Sequence, residues 1–318
     1  MPETLSWVMG FALWVALAVD YWLGEPATRW HPVVWMGRYL NWAASKFVPQ
    51  NISASQPVLH FWLGAFYWMI GAAFVCASAL IVQHWITYLH VALAVVLLGL
   101  VLKPMLALAM LCSEVLAVEA ALAVSLDEGR LKLAWLVSRD TQQLSANEVR
   151  EAAIESLAEN LNDSFVAPVF WFVLLGLPGA ALHRFANTAD AMWGYPSDRG
   201  GRYWQWAGKW AARADDALSW LPARLTALVM LIVSQSAWNN WVQVWTQASK
   251  TPSPNSGWPM AAMACALNLR LGKAGVYVLN AAGCTPAAND VPKAVKIAIK
   301  TAIVQVFIAQ AAIYLIAK

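Results

Sequence analysis

Three long apolar runs constrain this chain before anything else does. Residues 58–82, 91–112 and 297–317 each exceed the about 20 residues needed to cross a hydrocarbon core about 30 Å thick. Backbone polar groups find no water at that depth, so such runs are helices. The last run holds one charge, Lys300, near its end, where the side chain can snorkel. Residues 5–19 are shorter and read as a first membrane segment, because the residues before them carry Glu3 and no Lys or Arg, unlike a signal peptide. Two further segments are weaker. Residues 166–182 are interrupted by Pro168, Gly176, Pro178 and Gly179, and residues 221–233 open on Pro222 and Arg224. Each is expected either to cross or to enter and return, since such breaks are tolerated when buried in protein.

Charge tells the same story. Only 12% of the 318 residues are charged, where a soluble domain carries about 25%. The net charge of +3 gives no case for nucleic acid. The fold class expected is all-α: a polytopic membrane protein with about four to six transmembrane or re-entrant helices plus polar, partly helical cytoplasmic segments. A multi-pass protein of the cell inner membrane, with the lipid bilayer as its first partner, follows. No linker or repeat appears, so residues 1–318 are read as a single membrane-embedded domain. Among the 20 tryptophans, Trp238, Trp241 and Trp245 share one helical face and suggest a helix at the headgroup level, with core packing the equal alternative. If both weak segments crossed, the later polar stretches would alternate sides. Their Lys/Arg counts do not alternate: four in 113–163, five in 183–219 and five in 234–296. All three are therefore expected on the cytoplasmic face, which labelling Asp163 and Arg213 from opposite faces would overturn.

Within those polar stretches lies an acidic stripe. Glu148, Glu151, Glu155, Glu159 and Asp163 are spaced three, four, four and four residues apart. On a helix they fall within an arc of roughly 120°. Like charges so spaced repel, so something cationic should face them. Ser145 precedes Glu148 by three residues, a capping-box signature that starts the helix there. Glu155 and Glu159 can share a Mg²⁺ with the amide oxygens of Asn160 and Asn162, and a solvated helix face is the competing reading. Elsewhere, Asp20, Glu25, His31 and Arg38 form either a site loop or a set of membrane-boundary charges. Asp215 and Asp216 beside Arg213 suit a metal or a simple ion pair. Arg224, at the mouth of an apolar segment, suits phosphate or carboxylate. Ser253-Pro254-Asn255-Ser256-Gly257 opens a helical pattern over 258–271, which reads as an anion site or an ordinary turn with an N-cap. No Walker A loop is present, so ATP, if used, is held otherwise.

Taken in order, these motifs resemble one family, the membrane-bound adenosylcobinamide-phosphate synthases of cobalamin biosynthesis. The resemblance runs from Asp20 to about Leu271. It is carried by Gly24-Glu25-Pro26, His31-Pro32, Gly37-Arg38, Ser138-Arg139-Asp140-Thr141, Glu155 through Asp163, and Ala167-Pro168. It continues through Asn187-Thr188, Asp190, Met192, Gly194-Tyr195, Ala212-Arg213, Asp215-Asp216, Pro222-Ala223-Arg224-Leu225 and Ser253-Pro254-Asn255.

The resemblance implies an ATP-dependent amide ligase. It would join a propionate of adenosylcobyric acid to the amine of aminopropanol phosphate, using ATP and Mg²⁺ and passing through an acyl phosphate. Glu155, Glu159, Asn160, Asp163, Arg139 and Asp140 are then the catalytic candidates. His31, Arg38, Asn187, Asp190, Arg213, Arg224, Ser253 and Asn255 are candidates for substrate and phosphate binding. Glu155, Glu159, Asp163, Asp215 and Asp216 are the metal candidates. Other membrane enzymes of corrinoid assembly become candidate partners. The sequence departs from the family pattern at Glu151, where Arg is usual, at Ser219 (Asn), Met260 (Glu) and Lys273 (Gly), and in a short 275–290 segment that keeps Tyr277. Glu151 is left to pair with Arg150 or a nearby cation. The alternatives are a transporter and a catalytically silent paralogue acting as membrane sensor or assembly factor.

Overall fold

The structure, a computed structural model, describes residues 3–235 and 237–317. Helices dominate it, as expected. In chain order they are α1 (Glu3–Leu23), α2 (Pro32–Phe47), α3 (Pro57–Thr87), α4 (Val91–Leu102), α5 (Leu108–Val124), α6 (Leu126–Leu133) and α7 (Ala146–Leu161). A π-helical turn, Asn162–Val166, leads into α8 (Ala167–Leu175) and α9 (Leu177–Trp193). Then come α10 (Lys209–Val233), α11 (Ala237–Ala248), α12 (Gly257–Leu267) and α13 (Asp290–Ala317). The strands are short: β1 (Asp198–Arg199) pairs with β2 (Arg202–Tyr203), and β3 (Leu271–Lys273) with β4 (Tyr277–Leu279), both antiparallel.

Five segments among the described residues are long and apolar enough to cross a membrane: Thr4–Leu23, Pro57–Thr87, Val91–Val124, Lys209–Val233 and Asp290–Ile316. The run at 91–112 is not one straight span, however. Lys103–Met105 forms a 3-10 turn containing Pro104, which ends α4 after 12 residues. Those residues reach about 18 Å, short of the bilayer core. The segment at 166–182 is split as its glycines suggest: Gly176 takes a φ of +69°, and the Leu177 N–H leaving it donates to Gln83 Oε1 at 2.6 Å. The pattern at 258–271 ends early, because Asn268 caps α12 in the left-handed conformation and the chain turns into β3.

Contacts gather into two compact units, each built from separated stretches of chain. The first comprises Met1–Leu106, Ala167–Ser219 and Ala309–Lys318. In it α1 lies on α4, and α9 packs against α2, α3 and α8. The α1–α4 approach needs Gly99, where a Cβ would stand 2.6 Å from the Val15 side chain and 2.9 Å from the Ala12 carbonyl oxygen. The second unit comprises Ala107–Val166 and Trp220–Ile308. There α7 is wrapped by α5, α6, α12 and β3, and α11 lies on α12. Trp241 and Trp245 both meet the Trp258 ring, at 5.8 and 5.1 Å, so core packing claims part of that tryptophan face. The Trp238 side chain lies outside the described residues.

Candidate functional site

Helix α7 starts as its sequence dictates. The Glu148 N–H donates to Ser145 Oγ, and the Glu148 carboxylate accepts from the Ser145 N–H at 2.8 Å. This closes the capping box and holds the Glu148 carboxyl below its ordinary range. The next two acidic residues turn inward. Glu151 and Glu155 are 3% and 4% exposed, which is costly for a carboxylate unless a cation meets it. Two do. Arg270, just before β3, reaches Glu151 Oε1 at 3.4 Å, and Arg139 reaches Glu155 Oε2 at 3.3 Å. The cationic face that the stripe called for is therefore made by arginines from two loops. Arg150 is not Glu151's partner; it makes a two-pronged pair with Glu119 of α5, both bonds at 2.8 Å.

Glu155 is the most perturbed member. Burial pushes its carboxyl up from 4.5 to about 7, against the lowering influence of Arg139 and the Tyr277 phenol. Burial, with Glu155 and Glu159 nearby, in turn raises the Tyr277 hydroxyl. A cavity of about 180 Å³ opens on these groups, lined by Arg139, Glu155, Glu159, Asn160, Met260, Lys273 and Tyr277 among others. A smaller one of about 80 Å³ adjoins it; Arg139, Lys273 and Tyr277 line both, and Glu148, Glu151 and Arg270 line only the second. Glu151, Met260 and Lys273, three of the four departures from the family pattern, thus meet in one place. The fourth, Ser219, belongs to the other unit, where its Oγ lies 3.2 Å from His183 Nε2.

The β3–β4 hairpin brings Lys273 and Tyr277 there. It turns at Gly275, whose φ of +72° suits glycine. Its base hangs on Asn280, buried at a φ of +45°. The Asn280 amide donates to the Ala264 and Leu269 carbonyls at 3.3 and 3.0 Å and accepts from Gln243 at 3.0 Å, while its N–H donates to Gln247.

Other sequence candidates sit as follows. Asn160 lines the cavity, its amide donating back to the Ser156 carbonyl at 2.9 Å. Asp163 lies past the end of α7 in the π-helical turn, accepting from Asn162 at 2.7 Å, and Asn162 accepts in turn from Thr226. Asp140 is exposed and accepts from the Gln142 N–H. Arg224, Ser253 and Asn255 do come together. Arg224 donates to Asn255 Oδ1 and to the Pro254 carbonyl, between the rings of Trp220 and Trp258. Ser253 Oγ accepts the N–H groups of Asn255 and Ser256, so the donors of this turn are used within it, as in the ordinary-turn reading.

The remaining candidates belong to the first unit. Asp20, Glu25 and His31 meet there, without Arg38. Their centre is Lys103, which the sequence reading passed over although a lysine inside an apolar run was its signal. Lys103, 2% exposed, lies 2.7 Å from Glu25 Oε1 and 3.3 Å from Asp20 Oδ1. His31 Nε2 is 3.0 Å from Glu25 Oε2, and its Nδ1 accepts the Val33 N–H to cap α2. Burial alone would raise the Glu25 carboxyl, but His31 and Lys103 hold it below its ordinary value. Arg38 is exposed. Asn187 and Asp190 stand half-buried on α9, with Asp190 against Gly194, where no Cβ fits. Arg213 lies over the Phe61 ring at 5.9 Å, with Asp215 and Asp216 following it on α10.

As a resident metal centre the acidic stripe fits poorly. Among the described residues no group of three His, Cys, Asp or Glu side chains is arranged to hold a metal ion. One Glu155 oxygen is taken by Arg139, and one Asp163 oxygen by Asn162. Mg²⁺ brought by a nucleotide is a different case, because it draws mainly on phosphates and water and needs one or two carboxylates. Glu159, half-buried in the cavity lining, is placed to supply one.

A family model described as "CobD/Cbib protein" matches residues 13–306. The chain is 38% identical over 271 residues to a probable cobalamin biosynthesis protein CobD of Methanothermobacter thermautotrophicus, covering 84% of this chain and 85% of that one. It is 38% identical over 298 residues to the cobalamin biosynthesis protein CobD of Chromobacterium violaceum, covering 89% and 90%. No solved structure matches it. By the family model that matches most of its length and by these relatives, this chain belongs to the CobD/Cbib family.

Proposed function

We propose that the chain is an ATP-dependent ligase of cobalamin biosynthesis. It joins a propionate carboxylate of adenosylcobyric acid to the amine of aminopropanol phosphate, giving adenosylcobinamide phosphate. The observation that carries the reading is Glu155: a buried carboxylate held between Arg139 and the Tyr277 phenol, lining a cavity outside the apolar segments. A carboxylate is a poor electrophile until phosphorylated. Its oxygen attacks the γ-phosphorus of MgATP, releasing ADP and leaving an acyl phosphate. Arg139, beside Glu155 in the cavity lining, would spread the charge of that transfer. The amine nitrogen then attacks the acyl carbon and inorganic phosphate leaves. The ammonium must first lose a proton, and Glu155, with its carboxyl near 7, is matched to take it at neutral pH.

Use of ATP puts this face of the protein in the cytoplasm. The test is a product assay by mass spectrometry on the reconstituted full-length protein with adenosylcobyric acid, aminopropanol phosphate, ATP and Mg²⁺. Amide product that requires all four supports the reading. No product, or substrate uptake into proteoliposomes without ATP, overturns it.

A further inference from the structure

The two adjoining cavities have opposite charge at their two ends. The inner end is the buried carboxylate of Glu155, with Glu159 one turn on. The outer end is Lys273, exposed on the hairpin and shared by both cavities. Arg139 stands in the lining common to both, with Glu155 as its hydrogen-bonded partner among the described residues. That bond, at 3.3 Å, is long for a charge-assisted pair, which prefers about 2.7–2.9 Å. An incoming cation can therefore take over Glu155 at small cost and leave the guanidinium facing outward. In the second cavity Glu151 is already matched by Arg270, and Glu148 is held by its capping box, so neither competes for the ammonium.

We propose that these cavities are one receptor for a small zwitterion, an aminoalkyl phosphate, bound with its ammonium inward on Glu155 and Glu159 and its phosphate outward on Lys273 and Arg139. This deepens the proposed ligase and rests on it for the identity of the acceptor. It makes Lys273 the residue that selects a phosphorylated amine over a free one. The inward end presents the reacting nitrogen to the group that takes its proton. The outward end leaves the phosphate, which does not react, at the entrance.

The experiment is calorimetric titration of the full-length protein in detergent, without ATP or corrinoid. The probes are aminopropanol phosphate, free aminopropanol and propyl phosphate, which lacks the amine. The expected order places aminopropanol phosphate tightest. Lys273→Ala, a change at an exposed side chain, should weaken aminopropanol phosphate by about tenfold or more and leave free aminopropanol unchanged. Lys273→Arg should restore the affinity. Glu155→Gln should weaken both amines and spare propyl phosphate. Three results would overturn the receptor: no binding of aminopropanol phosphate by the unaltered protein, equal effects of Lys273→Ala on both amines, or an unchanged KM for aminopropanol phosphate in the Lys273→Ala product assay. The two ideas fail separately. The expected binding pattern without amide product would remove the ligase and keep the receptor, and product formation indifferent to Lys273 would do the reverse.

Discussion

In the proposed reaction Glu155 is the group that takes the proton, and its titration is the clearest handle on that role. Burial raises that carboxyl to about 7, and Arg139 is the foremost influence lowering it. A base must be ionised to work, so kcat/KM should climb as pH rises through about 7. Arg139→Gln removes the lowering cation and should move this limb to higher pH. In Glu155→Gln the remaining activity should lack the limb; a limb that persists there assigns the proton to another group. The same carboxyl ties stability to pH. Its folded value lies above the ordinary 4.5, so the folded state holds the proton more tightly than the unfolded one. Its contribution is fully present below pH 4.5 and is lost as pH rises through about 7, an effect of about 3 kcal/mol. Melting in detergent should therefore show the unaltered protein losing stability relative to Glu155→Gln as the pH is raised across that window. Parallel curves for the two proteins would refute it.

The β3–β4 hairpin delivers Lys273 and Tyr277 to the cavity, and its register depends on Asn280. Removing that side chain leaves the buried Leu269 carbonyl short of a donor and puts alanine at a positive φ. Asn280→Ala should cost about 3 kcal/mol. Backbone hydrogen exchange across Leu271–Leu279 should speed up, with a raised KM for the acceptor amine; an unchanged exchange rate would show that the hairpin is held elsewhere. This element also marks where sequence reading stops. The capping box at Ser145 and the break at Gly176 were legible, because caps and glycines act through their own neighbours. So was the demand for cations opposite the acidic stripe. Which arginines answer it was not, since Arg270 lies 119 residues from Glu151 and only the tertiary fold joins them. Periodicity carried the helix at 258–271 too far, because apolar residues in a short buried hairpin look the same as those on a helix face. Lys103 escaped for a related reason: one lysine barely lowers the mean hydropathy of a long apolar run, while its carboxylate partners come from elsewhere in the chain.

At the scale of the whole chain, packing within the second unit restricts how the membrane is crossed. If each of the five candidate segments crossed once, α10 would be the single crossing between α7 and α12, and those helices would lie on opposite faces. They cannot, since α7 packs on α12 and on β3, and Arg270 reaches Glu151 at 3.4 Å. The number of crossings between Leu161 and Gly257 is therefore even. Among the described residues α8 and α9 form the other apolar segment in that interval, so either they cross together with α10 or α10 does not cross. The similar Lys/Arg counts of residues 113–163 and 234–296, four and five, agree with those two stretches sharing a face. Two exposed positions test this directly, Gln143 before α7 and Ala274 in the hairpin turn. In a cysteine-free background, Gln143→Cys and Ala274→Cys should react with an impermeant maleimide from the same side of sealed vesicles. Labelling from opposite sides would break the contact between α7 and the hairpin, and with it the cavity on which Glu155 and Lys273 converge.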